Sequence, residues 1–108
     1  MRRIALVSLL LAAFSAPDSS EQASEPQVLQ IKQTFDPNTI KVAPGAAVEF
    51  MNMDDVNHNL KVVAPDGSVT DLGLDKPGET TKIGFPASGS YTVICGIHPR
   101  MKMKVAAQ

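Results

Sequence analysis

The sequence predicts an all-β protein, a sandwich of two sheets built from seven or eight short strands. Three observations lead there. Apolar residues recur at every second position along most of the chain, the period of a strand with one buried face. Clusters of Pro, Gly, Asn and Asp interrupt these runs at short intervals. No segment carries an apolar stripe at helical spacing. Many short strands, each with a single apolar face, are stable only when two such sheets close on each other.

The elements follow in order. Leu29, Ile31 and Phe35 are expected to share one face, interrupted by Gln33. Ile40 and Val42 alternate with Thr39 and Lys41, and Val48 and Phe50 alternate with Glu49. His58, Leu60 and Val62 form the next inward set, then Ile83 and Phe85, then Tyr91, Val93 and Cys95. Met101, Met103 and Val105 close the series, with Lys102 and Lys104 turned to solvent. Turn residues separate the runs at Asp36-Pro37-Asn38, Pro44-Gly45, Pro65-Asp66-Gly67, Lys76-Pro77-Gly78 and Ser88-Gly89.

Residues 1–23 read as a signal peptide and polar leader, and residues 24–108 as the folded domain. Met1-Arg2-Arg3 is a short basic start, Ile4 to Phe14 is an almost unbroken apolar run, and small and polar residues follow from Ser15. That is the layout of a secretory signal. The run falls short of the ~20 apolar residues that cross a bilayer, so stable membrane insertion is not expected. Export, with the bacterial periplasm as destination, is the expectation.

The 108 residues carry 10 basic and 11 acidic side chains, a net charge of -1. Without Arg2 and Arg3 the balance is 8 against 11, or -3. A mildly acidic chain with no basic run in its sequence is a poor match for nucleic acid.

Chemistry concentrates in few residues. The chain has one cysteine and two histidines. Cys95 and His98 lie in Cys95-Gly96-Ile97-His98-Pro99-Arg100-Met101, and the other histidine is His58. A lone cysteine in an exported protein implies an intermolecular bridge, a reactive thiol or a metal-bound one. A buried inert thiol would explain neither the histidine three residues on nor the methionine three beyond it. One thiolate, two imidazoles and a thioether are the ligand set of a mononuclear blue-copper centre, with two nitrogens and one sulfur in a plane and a weak axial sulfur. Structural zinc favours four strong ligands. The alternation points His58, Cys95 and Met101 into the sandwich and leaves His98 in a turn as the ligand nearest solvent.

With those residues in view, the chain resembles the cupredoxins, the plastocyanin/azurin family of blue copper proteins. The resemblance is carried by Phe35-x-Pro37-x-x-Ile40-x-Val42-x-x-Gly45-x-x-Val48-x-Phe50-x-Asn52-x-Asp54 leading into His58-Asn59, by Pro77-Gly78-Glu79-Thr80, Phe85 and Gly89-x-Tyr91, and by Cys95-x-x-His98-x-x-Met101. It implies a Greek-key β-sandwich with one type 1 copper ion at its rim. His58, Cys95, His98 and Met101 match the metal ligands. Asn59 matches the residue whose side chain braces the ligand loop. The compact loop is most similar to that of the amicyanins, with one departure, since such loops carry glycine where this chain has Met103. Met101 is the expected axial ligand and Met103 the expected core residue.

The resemblance implies an electron carrier cycling Cu(II) and Cu(I), and no enzyme. Expected partners are redox proteins, a dehydrogenase donor or a c-type cytochrome acceptor, docking near His98 on a monomer. The alternative is a periplasmic copper-binding or trafficking protein without an electron-transfer role, suggested by Met51 and Met53.

Overall fold

Nine strands in two facing sheets make up the described part of the chain, residues 25–108, in a computed structural model. The expected signal peptide and leader, 1–23, lie outside the described residues. The strands are β1 (Gln27–Ile31), β2 (Thr34–Asp36), β3 (Thr39–Val42), β4 (Ala47–Asn52), β5 (His58–Val63), β6 (Val69–Asp75), β7 (Thr80–Gly84), β8 (Gly89–Cys95) and β9 (Lys102–Ala107). One sheet has the order β2-β1-β4-β7 and the other β3-β9-β8-β5-β6. Pairs β1–β4 and β3–β9 are parallel, and the rest are antiparallel.

The core is the set of residues that the two sheets turn towards each other. Val28, Val48, Phe50 and Ile83 face inward from the four-stranded sheet, and Leu60, Val62, Tyr91, Val93 and Val105 from the five-stranded sheet. Phe35 meets Phe50 edge to face at 6.0 Å, and Phe85 meets Tyr91 at 4.9 Å. Each such fully buried aromatic stabilises the fold by roughly 1.5–3 kcal/mol relative to exposure. The Tyr91 hydroxyl donates to the carbonyl of Ala87 at 2.8 Å and accepts its N–H at 2.9 Å, so the ring is buried with its polar end satisfied.

Two expectations are corrected. In β1 the buried residues are Val28 and Gln30, whereas Leu29 and Ile31 face outward. Gln33 is no strand residue: Lys32 and Gln33 form the β1–β2 turn with φ of 52° and 56°. The apolar alternation misplaced this face because a buried glutamine holds an inward position. Strand β6 was not anticipated at all. Six of its seven residues are exposed, so it shows no apolar alternation. It lies at the sheet edge with a register shift opposite Asn59–Lys61, where Gly73 takes φ 81°. A bulge with a left-handed glycine bends an edge strand and blunts it as a pairing site.

Gln30 faces Asp75 across the sandwich, its amide donating to Asp75 Oδ2 at 2.6 Å. Burial pushes the Asp75 carboxyl up, Glu79 pushes the same way, and the Gln30 amide opposes them without reversing the shift. Gln30 Oε1 and Asp75 Oδ1 are both buried acceptors without a partner. A proton on Asp75 supplies the donor the pair lacks. A carboxyl raised on folding stabilises the fold below its unfolded pKa, and that contribution is lost as pH rises through the folded value. The Asp75→Asn protein, which keeps a donor and never ionises, should therefore gain stability relative to the wild type as pH rises from about 4 towards neutrality. Urea midpoints measured across that range check this. A constant offset would show that Asp75 ionises alike in both states.

Candidate metal centre

At one end of the sandwich three donor atoms converge. His58 opens β5 and is fully buried, Cys95 closes β8 and is buried, and His98 is half-buried in the β8–β9 loop. His58 Nδ1 lies 3.1 Å from His98 Nδ1, and Cys95 Sγ lies 3.6 Å and 3.4 Å from those two atoms. A triangle with these sides has a point about 2 Å from every corner, the length of a bond from an imidazole nitrogen to a first-row metal. Two nitrogens and one sulfur in a plane are the donor set of a type 1 copper site, so the residues present fit that ion.

Met101, the expected thioether, belongs to the same loop. Met101 N–H donates to His98 C=O at 2.9 Å, and Cys95 N–H donates to Met101 C=O at 3.1 Å. The β8–β9 register pairs Val93 with Met103 and Ile94 with Lys102, so the next step sets Met101 against Cys95. Met103 faces Val93, one pleat further from the donors, and both methionines are buried.

His58 is oriented by a residue that the sequence reading did not single out as part of the site. Its Nε2 lies 2.6 Å from Asp54 Oδ2. A carboxylate there only accepts, so Nε2 carries the proton and Nδ1 keeps its lone pair for the metal position. Asp54 also accepts the backbone N–H groups of Lys32 and Gln33, and its own N–H donates to Asn52 Oδ1 at 2.9 Å. Partial burial pushes the Asp54 carboxyl up, but the hydrogen bonds from Gln33, His58 and Lys32 outweigh it and hold the group below its ordinary value. Spacing gave one usable signal, since Asp54 stands four residues before His58.

Asn59 acts through its backbone as well as its side chain. Its N–H donates to Cys95 Sγ at 3.3 Å, and its C=O accepts from Gly96 N–H at 2.8 Å. The side-chain amide bonds Asp71 Oδ1 and Gly73 C=O, both at 2.8 Å, and so ties down the β5–β6 pair. Asn59 Oδ1 packs so closely on Gly96 that a Cβ there would stand 2.7 Å from it, so a larger residue after Cys95 would have to displace that side chain.

A β-sandwich with two imidazoles and a thiolate closing on one point at its rim defines a small single-site metalloprotein. The chain belongs to the plastocyanin/azurin family of copper-binding proteins, whose profile matches residues 25–108. A methylamine utilization protein MauL of Methylorubrum extorquens is 35% identical, with 100% of this chain and 96% of that protein aligned. The MauL protein of Methylophilus methylotrophus is 30% identical over 89% of this chain, which spans 60% of that longer protein. A solved structure of a reduced amicyanin variant superposes with a TM-score of 0.71 over 82% of this chain and 88% of that one, at 24% identity, a likeness of fold.

Asp54→Ala should lower copper affinity about 10–100-fold by freeing the His58 ring, measured by competition with a chelator. The sign of its pH dependence follows from the depressed carboxyl. The stability that Asp54 contributes to the metal-free protein is present above about pH 4 and is lost as pH falls through its folded pKa. The gap in urea midpoint between wild type and variant should therefore close in acid. Unchanged affinity with a pH-independent gap would remove Asp54 from the site.

Proposed function

We propose that this protein is an exported, single-copper electron carrier in which His58, Cys95, His98 and Met101 would hold the ion. One observation carries the reading: the two Nδ1 atoms and Sγ already stand 3.1–3.6 Å apart, on a thiolate and an imidazole fixed at strand ends. Bound copper would supply a one-electron couple and a thiolate-to-metal charge-transfer absorption. The chain's own residues do the rest. Strands β5 and β8 keep His58 and Cys95 in place, Asp54 fixes the tautomer of His58, and the Asn59 N–H stabilises negative charge on Sγ. With donors that do not need to move, little reorganisation accompanies loss or gain of an electron. His98, half-buried in the loop, is the route by which an electron enters and leaves.

The trafficking alternative fits less well. Handing a metal to a partner requires donors that the partner can reach, and His58 and Cys95 are 0% and 3% exposed. Met53 is exposed but lies in the β4–β5 loop and contributes to no donor cluster. The relatives named for methylamine utilization support an amine dehydrogenase as the donor, and the same proposal takes a c-type cytochrome as the acceptor and the periplasm as the compartment.

Voltammetry tests the reading. The copper-loaded protein should show one reversible one-electron wave at one copper per chain. Met101→Leu should keep copper bound and raise the potential, because the axial sulfur favours Cu(II). Met103→Leu should leave the potential in place and change stability by less than ~1.5 kcal/mol. A potential shift at Met103 alone would transfer the axial role to it. An irreversible wave with copper lost on reduction would favour trafficking.

A further inference from the structure

The outer face of the five-stranded sheet gathers lysines that are scattered in sequence. Lys41 on β3, Lys61 on β5, and Lys102 and Lys104 on β9 all occupy outward positions of that sheet. The registers place them together. Lys61 and Lys102 flank Ile94 of β8 on its two sides, and in the next row Lys104 stands between Thr92 and Thr39. Lys104 Nζ donates to Thr92 Oγ1 at 2.9 Å, which holds its charge on the sheet surface. The face carries one acid, Asp71, on the edge strand and 4.0 Å from Lys61. The other described acids lie off this face: Glu25 before β1, Asp36 and Glu49 on the four-stranded sheet, Asp54 and Asp55 in the β4–β5 loop at the metal end, Asp66 in the β5–β6 turn, Asp75 inside the core and Glu79 just before β7.

The charge continues to the metal end. The row Lys61–Ile94–Lys102 is one residue step from Cys95 and Met101, and Arg100 follows in the loop. Arg100 and Lys32 also border a shallow cleft of about 470 Å³ beside His98. A chain that is acidic overall thus presents a basic face joined to the exit route for electrons. Solvation alone does not require like charges to collect on one sheet, where they repel one another.

Building on the electron-carrier reading, we propose that this lysine face is the docking surface for an acidic redox protein, one whose contact surface is rich in carboxylates. Ile94 supplies an apolar centre, Lys61, Lys102 and Lys104 supply the surround, and opposite charge on the partner steers encounter and sets orientation. One electron then passes from the reduced protein, which is oxidised, to the ferric haem of the partner, which is reduced.

The test follows oxidation of the copper-loaded, reduced protein by two c-type cytochromes, one acidic and one basic, in stopped flow. Between about 10 mM and about 150 mM salt the screening length falls from ~30 Å to ~8 Å. Over that range the rate with the acidic cytochrome should fall about tenfold, and that with the basic one should not fall. Lys61→Glu and Lys104→Glu should each slow the acidic partner about three- to tenfold at low salt. Lys82→Glu, on the outer face of the other sheet, should slow it far less, with potentials measured for every variant. In NMR of the reduced protein, the acidic cytochrome should shift the amides of Lys61, Ile94, Thr92 and Lys104. Equal effects of Lys82→Glu and Lys104→Glu, or shifts confined to the His98 loop, would overturn the proposal while leaving the carrier intact. So would a dimer through this face in sedimentation, or equal shifts caused by anionic lipid vesicles. Failure of both cytochromes to oxidise the protein would overturn the carrier reading and this inference with it.

Discussion

The Asp54 carboxylate joins the β1–β2 turn, the β4–β5 loop and the start of β5. It accepts the turn N–H groups of Lys32 and Gln33 at the end of the four-stranded sheet, and it holds Nε2 of His58 at the start of β5 in the five-stranded sheet. Through its own N–H it is bound to Asn52, whose amide donates in turn to the carbonyls of Val56 and Asp75. The left-handed conformation of two consecutive non-glycine residues at Lys32 and Gln33 is costly. The two charge-assisted hydrogen bonds there offset that cost. The donor geometry at the rim depends on this link, because an imidazole without it could rotate and present the wrong nitrogen.

The sandwich is divided along its length. Away from the metal end its interior is aliphatic and aromatic, with Phe85 against Tyr91. Towards the metal end it becomes polar, with Gln30, Asn52, Asp75 and His58 all buried. Apolar packing gives the rigidity, and the polar end uses it. A buried polar group without its partner costs about 1–3 kcal/mol, so these side chains specify one arrangement rather than adding much stability. That is the property an electron carrier needs, since donors that stay put in both oxidation states keep reorganisation small.

Much of this was legible in the sequence, and the exceptions have physical reasons. Alternation in β4, β5, β8 and β9 set the inward faces because those strands bury aliphatic side chains on one side only. It failed at β1, where Gln30 occupies an interior position that pattern reasoning assigns to an apolar residue. It could not find β6, an exposed edge strand held by its backbone pairing with β5. The grouping of Cys95 and His98 followed from spacing and that of His58 from its rarity, since one cysteine and two histidines leave little choice. Asp54 stood in the pattern that carries the resemblance, but its orienting role was not legible because it depends on the return of the β1–β2 turn to the same point. The lysine face was invisible for a similar reason: Lys61 is far in the chain from Lys102 and Lys104, and they share one face only when β5, β8 and β9 are laid side by side.

Cys95 as a thiolate, together with the imidazoles of His58 and His98, would hold the copper ion. Visible absorption of the stoichiometric Cu(II) protein, before and after Cys95→Ser, tests it most directly. An intense blue band from thiolate-to-copper charge transfer is expected, lost in the serine variant although the fold persists. A pale Cu(II) spectrum, unchanged by the substitution and with the Cys95 thiol still open to alkylation, would contradict it.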